Sequence, residues 1–239
     1  MMTPTTSRTR GALFMVFDGY DPRAQEALTK AVYSFIEHHP ELPHEVIELP
    51  AGSTLLDKSR MLDLSPFDET VFLDADTVTL GRLDYGFDKA ARHGLACCIC
   101  ECPWARRYTG LADRGDIVEY NTGVMFFSKR VKYLFDAWQR KVHTVDSSLK
   151  FNRNGEVCTM PMNDQGGFAA AIDEAGFSPF VLPLNWNYRP IWQHTVFGPV
   201  RIWHDYAPVP EYVHQWNAQQ SATDAVLNCA RMRREEALV

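Results

Sequence analysis

The chain has 239 residues, 46% of them hydrophobic, which is enough for one α/β domain with a substantial core. Its formal net charge of −6 argues against a nucleic-acid partner, because a phosphate backbone favours a basic surface. No apolar run approaches the roughly 20 residues of a membrane span and residues 1–10 lack the apolar core of a signal peptide, so we expect no transmembrane segment and a cytoplasmic location.

The first part of the chain alternates between predicted strands and helices. Residues 1–10 are polar and predict a disordered leader. Apolar runs and apolar residues spaced three and four apart then predict, in order, strand 12–17, helix 22–39, strand 45–49, a short helical segment 58–61 and strand 70–73. This order implies a mostly parallel sheet flanked by helices.

Two aspartates follow the third predicted strand. Asp74 and Asp76 stand directly after the apolar run 70–73, separated by Ala75. Carboxylates at such a place are costly to desolvate alone, so a hard divalent cation is the natural compensation. Mg²⁺ and Mn²⁺ take one or two protein carboxylates and fill other positions with water and substrate phosphates. The pattern therefore predicts a metal site and a phosphate-bearing substrate.

Other interpretations of the Asp-x-Asp pair are open. Aspartates two apart commonly cap helices or turns. Phosphatases of the haloacid dehalogenase type have a similar strand-end signature, but Val78 stands where they need threonine and no later apolar strand ends in an acidic pair. Nucleotide-sugar transferases with the GT-A fold are the second enzyme class that such a pair indicates.

The first strand ends in further polar side chains. Asp18 and Tyr20 follow strand 12–17, and the carboxyl ends of parallel strands meet at one crevice in open α/β sheets. Both residues are therefore candidates for holding a base or ribose. Loop and helix-capping chemistry explains them equally well.

The second half of the chain is less regular. Its predicted elements are a strand over 95–100, a strand over 121–127, an amphipathic helix from 128 or 129 to 143, a helix starting near Asn163 or Asp164, short apolar pieces at 180–182 and 200–203, and a last helix over 213–232. Cys97, Cys98, Cys100 and Cys102 are dense, but they lack two Cys-x2-Cys pairs. We therefore expect a buried strand of small residues rather than a zinc site.

Five motifs occur in the order that a known family has them. They are Lys58-x-Arg60, Asp74-Ala75-Asp76, Asn121-Thr122-Gly123, Asn163-Asp164-Gln165-Gly166 and His204. With these motifs the chain resembles the family 8 glycosyltransferases, the group of glycogenin and bacterial galactosyltransferases, over about residues 11–206. The resemblance implies a single GT-A, Rossmann-like domain over 11–212, followed by a C-terminal helical segment over 213–239.

The resemblance also implies roles for these residues. Asp74, Asp76 and His204 would be ligands of Mn²⁺ or Mg²⁺. Lys58, Arg60, Ala75, Asn121, Thr122 and Gly123 would bind the donor, a nucleotide-sugar and by resemblance a UDP-sugar. Asp164 would contact donor-sugar hydroxyls, with Gln165 near the anomeric carbon. The implied reaction transfers the sugar to an unknown acceptor with retention, by front-side displacement or through Asp164 as nucleophile.

The chain departs from the family pattern after His204. The family's lysine that clamps the diphosphate is missing from Asp205-Tyr206-Ala207-Pro208, and Arg189 or Arg201 is a candidate replacement. Trp186, Tyr188, Trp192 and Trp203 could stack on a sugar acceptor or pack in the core. A homologue that binds a nucleotide-sugar or glycan without transferring it is the alternative function.

Overall fold

The computed structural model describes residues 9–17, 23–101, 117–153, 155–220 and 228–232. The strands in these ranges are β1 (Arg10–Phe17), β2 (His44–Leu49), β3 (Glu69–Leu73), β4 (Thr77–Thr79), β5 (Leu95–Ile99), β6 (Tyr120–Ser128), β7 (Leu149–Arg153), β8 (Glu156–Met160), β9 (Phe180–Val181), β10 (Thr195–Phe197), β11 (Ile202–His204) and β12 (Cys229–Arg231). The α-helices are α1 (Ala24–His38), α2 (Met61–Leu64), α3 (Asp84–His93), α4 (Lys132–Lys141), α5 (Asp164–Ala175) and α6 (Glu211–Ala218), and a 3-10 helix (Leu55–Arg60) precedes α2.

A six-stranded sheet in the order β2-β1-β3-β6-β5-β9 forms the centre of the fold. The pairings β1–β2, β1–β3 and β5–β9 are parallel, whereas β6 is antiparallel to both β3 and β5. The prediction of a mostly parallel sheet is therefore confirmed. Because β6 runs in the opposite direction, its first residues lie at the carboxyl end of β3, where Val124 is opposite Leu73.

Successive side chains of the central strands point to opposite faces of the sheet, and both faces are covered. In β1, Ala12 and Phe14 pack with residues of α1 and α3, while Leu13 and Met15 pack with residues of α4 and α5. Every residue of β3 and β6 is buried. This three-layer arrangement explains why the central strands appear in the sequence as continuous apolar runs.

A short antiparallel ladder joins two distant parts of the chain. β4 follows the two aspartates and pairs with β11, with His204 directly opposite Thr77. The backbone N–H of Asp205 also donates to the carbonyl of Asp76 at 3.0 Å. Sequence reasoning predicted the apolar piece of β11 but not β4, so it did not predict this pairing.

Two terminal predictions were wrong in their boundaries. Arg10 belongs to β1 rather than to a leader, since it pairs with Glu69 of β3 in the sheet. Its guanidinium also bonds to the Glu69 carboxylate at 2.8 Å. The predicted helix over 213–232 ends at Ala218, and β12 pairs with β10 instead. This strand pairing buries Met232 beside Val196, and the tertiary contact overrides the helix-like spacing of apolar residues.

The cysteines of the central sheet are packing residues. Cys97 and Cys98 are fully buried on opposite faces of β5, and burial raises the pKa of both thiols. Their burial within β5 agrees with the expected buried strand. Cys102 lies outside the described residues.

Candidate active site

The site begins where β3 ends. The Asp74 N–H donates to the carbonyl of Gly123 at 2.8 Å, and the Asp74 carbonyl accepts from the Thr77 backbone at 3.1 Å and hydroxyl at 2.7 Å. These bonds close a tight turn over residues 74–77. Because the turn leads into β4, and β4 pairs with β11, Asp74, Asp76 and His204 are brought together.

The three side chains form a cluster that could hold a metal ion. The His204 Nε2 atom is 3.3 Å from Asp76 Oδ1 and 3.8 Å from Asp74 Oδ2, and one ligand atom from each residue lies within 4.8 Å of the others. Burial by itself would raise the pKa of Asp76, but the His204 imidazole and Lys58 hold it below its usual value. Two carboxylates and an imidazole suit a divalent cation such as Mn²⁺.

Lys58 provides a positive charge at the same place. Its Nζ atom is 2.7 Å from Asp74 Oδ1 and 2.9 Å from Asp74 Oδ2, and the residue is only 5% exposed. The 3-10 helix that carries it is fixed by a capping box between Thr54 and Asp57. Lys58 therefore compensates the charge of Asp74 from the side of the cavity wall.

Gly123 leaves room for this cluster. A Cβ atom on it would lie 2.3 Å from His204 Cε1 and 2.6 Å from Asp74 Oδ2. Such distances are far below van der Waals contact, so neither side chain could keep its place beside a larger residue. The fit of two carboxylates, one imidazole and a glycine supports a metal site here.

Asp164 is the first residue of α5 and is almost completely buried at 3% exposure. Burial raises the pKa of its carboxyl group, although the charge of Lys58 and a hydrogen bond with Thr122 act in the opposite direction. Its Oδ2 atom has no hydrogen-bond partner within the described part of the chain. Helix α5 begins here because the Asn163 side chain accepts from the Gln165 N–H at 3.1 Å.

A cavity of about 390 Å³ joins these residues. Most residues that the family pattern selects line it: Lys58, Asp74, Ala75, Asp76, Asn121, Thr122, Gly123, Asp164, Gln165 and His204. One part of its wall is apolar and includes Met15, Val16, Leu49, Leu55 and Phe72. A second cavity of about 500 Å³ shares Ala75, Asp76 and Tyr206 with the first.

Other predicted residues lie elsewhere. Arg60 is exposed, is not among the residues lining the cavity, and has its guanidinium 3.7 Å from the Asp57 carboxylate. Asp18 and Tyr20 lie outside the described residues. Arg189 lines the cavity and pairs with Glu101 at 3.3 Å, whereas the Arg201 side chain lies against Gly81 and lines neither cavity.

Three of the four aromatic residues considered for stacking on an acceptor sugar contribute to packing. Tyr188 and Trp203 are almost completely buried and stack on each other with ring centroids 5.6 Å apart. Trp186 is 7% exposed and packs against Phe126. These three rings therefore support the core, and the structure gives them no surface for an acceptor sugar.

Two residues that sequence reasoning missed connect to the cluster. Asn187 accepts from His204 Nδ1 at 2.7 Å, and its amide nitrogen donates to Asn121 Oδ1 at 2.7 Å. Glu119 accepts from the Gln165 amide at 2.9 Å. Neither residue lies in a recognisable motif; the only signal is that polar side chains stand next to buried strand and aromatic positions.

A second group of metal-type side chains is already paired with an arginine. His39, Glu41 and Asp84 also lie close together, but the Arg82 guanidinium is 2.6 Å from Glu41 and 2.8 Å from Asp84. His39 Nε2 accepts from the Leu83 N–H at 2.9 Å. This group is an ion-pair network that ties α1 to α3.

Several solved structures have a similar fold. Mouse xyloside xylosyltransferase 1 in its apo form gives a TM-score of 0.54 at 14% identity, over 84% of this chain and 100% of that one. The galactosyltransferase LgtC, solved with donor and acceptor sugar analogues, gives 0.54 at 13% identity, over 90% and 98%. Apo GlyE of Streptococcus pneumoniae gives 0.50 at 12% identity, over 77% of this chain and 46% of the longer GlyE chain.

The fold of this chain is therefore the GT-A fold of glycosyltransferases. No protein-family model and no curated protein sequence matches the chain, so its place in family 8 stays a prediction. No helix of the described residues has the length and apolar character needed to cross a membrane.

Proposed function

We propose that this protein is a metal-dependent glycosyltransferase that transfers a sugar from a nucleotide-sugar, a UDP-sugar, to an acceptor with retention of configuration. The observation that carries the proposal is the cluster of Asp74, Asp76 and His204 beside a cavity of about 390 Å³ in a GT-A fold. The cavity lies at the carboxyl ends of β1 and β3, where ligands bind in open α/β sheets.

Asp74, Asp76 and His204 would hold the cation, and the imidazole favours Mn²⁺ over Mg²⁺. A bound divalent cation would neutralise the charge that grows on the leaving nucleoside diphosphate. Lys58 lies against Asp74 and would direct that carboxylate into the cavity. Arg189, which lines the same cavity, is the proposed replacement for the missing diphosphate-clamping lysine.

The two walls of the cavity would bind different parts of the donor. The apolar wall with Met15, Val16 and Leu49 fits the nucleoside. Asp18 and Tyr20, which follow β1 in the sequence, stay candidates for holding the base or ribose. The polar wall with Asn121, Thr122 and Asp164 fits the sugar, whose hydroxyls need hydrogen-bond partners. Asp164 Oδ2, which has no hydrogen-bond partner among the described residues, is a suitable acceptor for a sugar hydroxyl, because burial of an unsatisfied polar atom is costly.

Release of UDP from a panel of UDP-sugars tests the proposal. We expect release that depends on Mn²⁺ and stops with a chelator. Asp164→Asn should lower turnover about 100-fold while UDP binding stays within about twofold. Asp84→Asn in the ion-pair network is the matched control and should behave like the wild type. Unchanged turnover in Asp164→Asn would remove this residue from the site, and UDP binding without turnover of any donor would favour the non-catalytic alternative.

A further inference from the structure

The two ring nitrogens of His204 face opposite partners. Nε2 faces the carboxylates of Asp76 and Asp74, at 3.3 and 3.8 Å, while Nδ1 is 2.7 Å from Asn187 Oδ1. A neutral histidine can ligate a cation through Nε2 only when its proton is on Nδ1. The two carboxylates on their own favour the opposite tautomer, because they would accept hydrogen bonds from Nε2–H. The partner of Nδ1 therefore decides whether the ring is ready for a metal ion.

Asn187 is fixed so that its oxygen faces His204. The residue is 1% exposed, and its amide nitrogen donates to Asn121 Oδ1 at 2.7 Å. Asn121 Oδ1 also accepts from the Gly123 N–H at 3.0 Å, and a backbone N–H can only donate. Asn121 therefore cannot turn its nitrogen toward Asn187, and Asn187 cannot turn its nitrogen toward the imidazole.

The hydrogen bonds on the far side of Asn121 fix the same donor direction. Asn121 donates to Gln165 Oε1 at 2.8 Å, and Gln165 donates to Glu119 Oε1 at 2.9 Å. The Glu119 oxygen accepts from the Gln165 nitrogen, so the Gln165 amide turns its oxygen toward Asn121. The donors then run in one direction from His204 Nδ1–H to Glu119.

The backbone holds Asn187 and His204 in register. The Tyr188 N–H donates to the Ile202 carbonyl at 2.8 Å, and the His204 N–H donates to the Tyr188 carbonyl at 2.8 Å. These bonds form a parallel bridge between Tyr188 and Trp203. The short distance between Asn187 and His204 is thus set by the main chain as well as by the side chains.

We propose that Asn187 is a positioning residue that keeps the proton of His204 on Nδ1 and leaves Nε2 free to ligate a cation, with Glu119 as the far anchor of the amide chain. The metal-binding consequence rests on the proposed function, but the tautomer does not. Partners of this kind orient metal-bound histidines, and their loss typically weakens metal binding 10- to 100-fold.

The test uses ¹⁵N-histidine NMR on the full chain without metal at about pH 8.5, roughly two units above the ordinary histidine pKa. Loss of one signal in His204→Gln assigns the ring. We expect the Nδ1–H tautomer in the wild type and the Nε2–H tautomer in Asn187→Leu, which is of similar size but has no acceptor. Asn185→Leu is the matched control, since Asn185 lies two residues away and bonds to the Pro199 carbonyl instead.

Calorimetry with Mn²⁺ alone completes the experiment. Asn187→Leu should bind Mn²⁺ about tenfold more weakly, and Asn185→Leu should bind it like the wild type. A wild-type His204 in the Nε2–H form, or an Asn187→Leu variant that keeps the Nδ1–H form, would overturn the proposal. A wild type that binds no Mn²⁺ would refute the proposed function, while the wild-type tautomer would still decide the role of Asn187.

Discussion

At the residue scale, the buried carboxyl group of Asp164 links stability to function. Burial raises its pKa, so the folded protein binds this proton more tightly than the unfolded chain does. Wild-type stability therefore falls as the pH rises from about 4, the ordinary value for aspartate, through the raised pKa of the folded state. The group opposes folding at neutral pH, which is typical of a side chain kept for a site rather than for stability.

Asp164→Asn should consequently stabilise the metal-free protein at pH 8 by on the order of 1 kcal/mol, with little gain at pH 4. Urea unfolding at both pH values measures the difference. Asp63→Asn is the control and should lower the free energy of unfolding at pH 8 instead. A hydrogen bond from Gln139 and the charge of Lys132 hold the pKa of Asp63 below its usual value, so the charged form of Asp63 stabilises the fold. A gain for Asp164→Asn that does not depend on pH would contradict the account.

Gly123 gives a second prediction at this scale. In Gly123→Ala the new methyl group would overlap His204 Cε1 and Asp74 Oδ2, so both ligands must move. We expect Mn²⁺ binding to weaken at least about tenfold by calorimetry. Gly81→Ala is the control, because its methyl group would meet the end of the flexible Arg201 side chain, 2.7 Å away. Equal Mn²⁺ affinities in the two variants would mean that the site tolerates a larger residue.

The residues of the site differ in how far the sequence reveals them. Asp74 and Asp76 could be predicted from the sequence alone, because two carboxylates stand directly after an apolar strand. His204 was implied only by family resemblance. Its place in the site depends on the pairing of β11 with β4, which the residues around His204 do not predict. Asn187 and Glu119 could not be predicted, since their partners are distant in the sequence and an amide or carboxylate between apolar residues has no characteristic spacing.

At the element scale, strands buried on both faces were the easiest to predict. β1 and β3 are continuous apolar runs because helices cover both sides of the sheet. The hairpin of β7 and β8 was missed although Asn154-Gly155 between the two strands is a common hairpin turn, and Gly155 has a φ of +91°. β12 was missed because its strand pairing depends on β10.

The contact between α4 and α5 positions Asp164 and gives a prediction for this scale. A Cβ atom on Gly167 would lie 2.4 Å from Val142 Cα, a backbone atom that cannot turn aside. Overpacking of this kind costs about 1–3 kcal/mol, which exceeds the gain of up to about 1 kcal/mol from the better helix propensity of alanine.

We therefore expect Gly167→Ala to lower the free energy of unfolding by about 1–2 kcal/mol, measured by urea denaturation. It should also lower turnover, because α5 carries Asp164 into the cavity. A stability gain of about 1 kcal/mol would show that the helices separate easily and that this contact does not fix the site.

At the scale of the whole molecule, the site depends on the β4–β11 ladder, which joins the carboxyl end of the central sheet to the later part of the chain. The ladder brings His204 beside the turn of Asp74 and Asp76, and Asn187 comes with it through the bridge at Tyr188. The α/β fold class could be predicted from the sequence because alternating strands and helices determine it. The ladder could not, because three-residue strands carry almost no local signal.

The most direct measurement is calorimetric binding of UDP with and without Mn²⁺ to the wild type, to Asp76→Ala and to the control Asp84→Asn. The account predicts binding that requires Mn²⁺, is lost in Asp76→Ala and is unchanged in Asp84→Asn, whose carboxylate pairs with Arg82 outside the site. UDP binding that is indifferent both to Mn²⁺ and to Asp76 would contradict it.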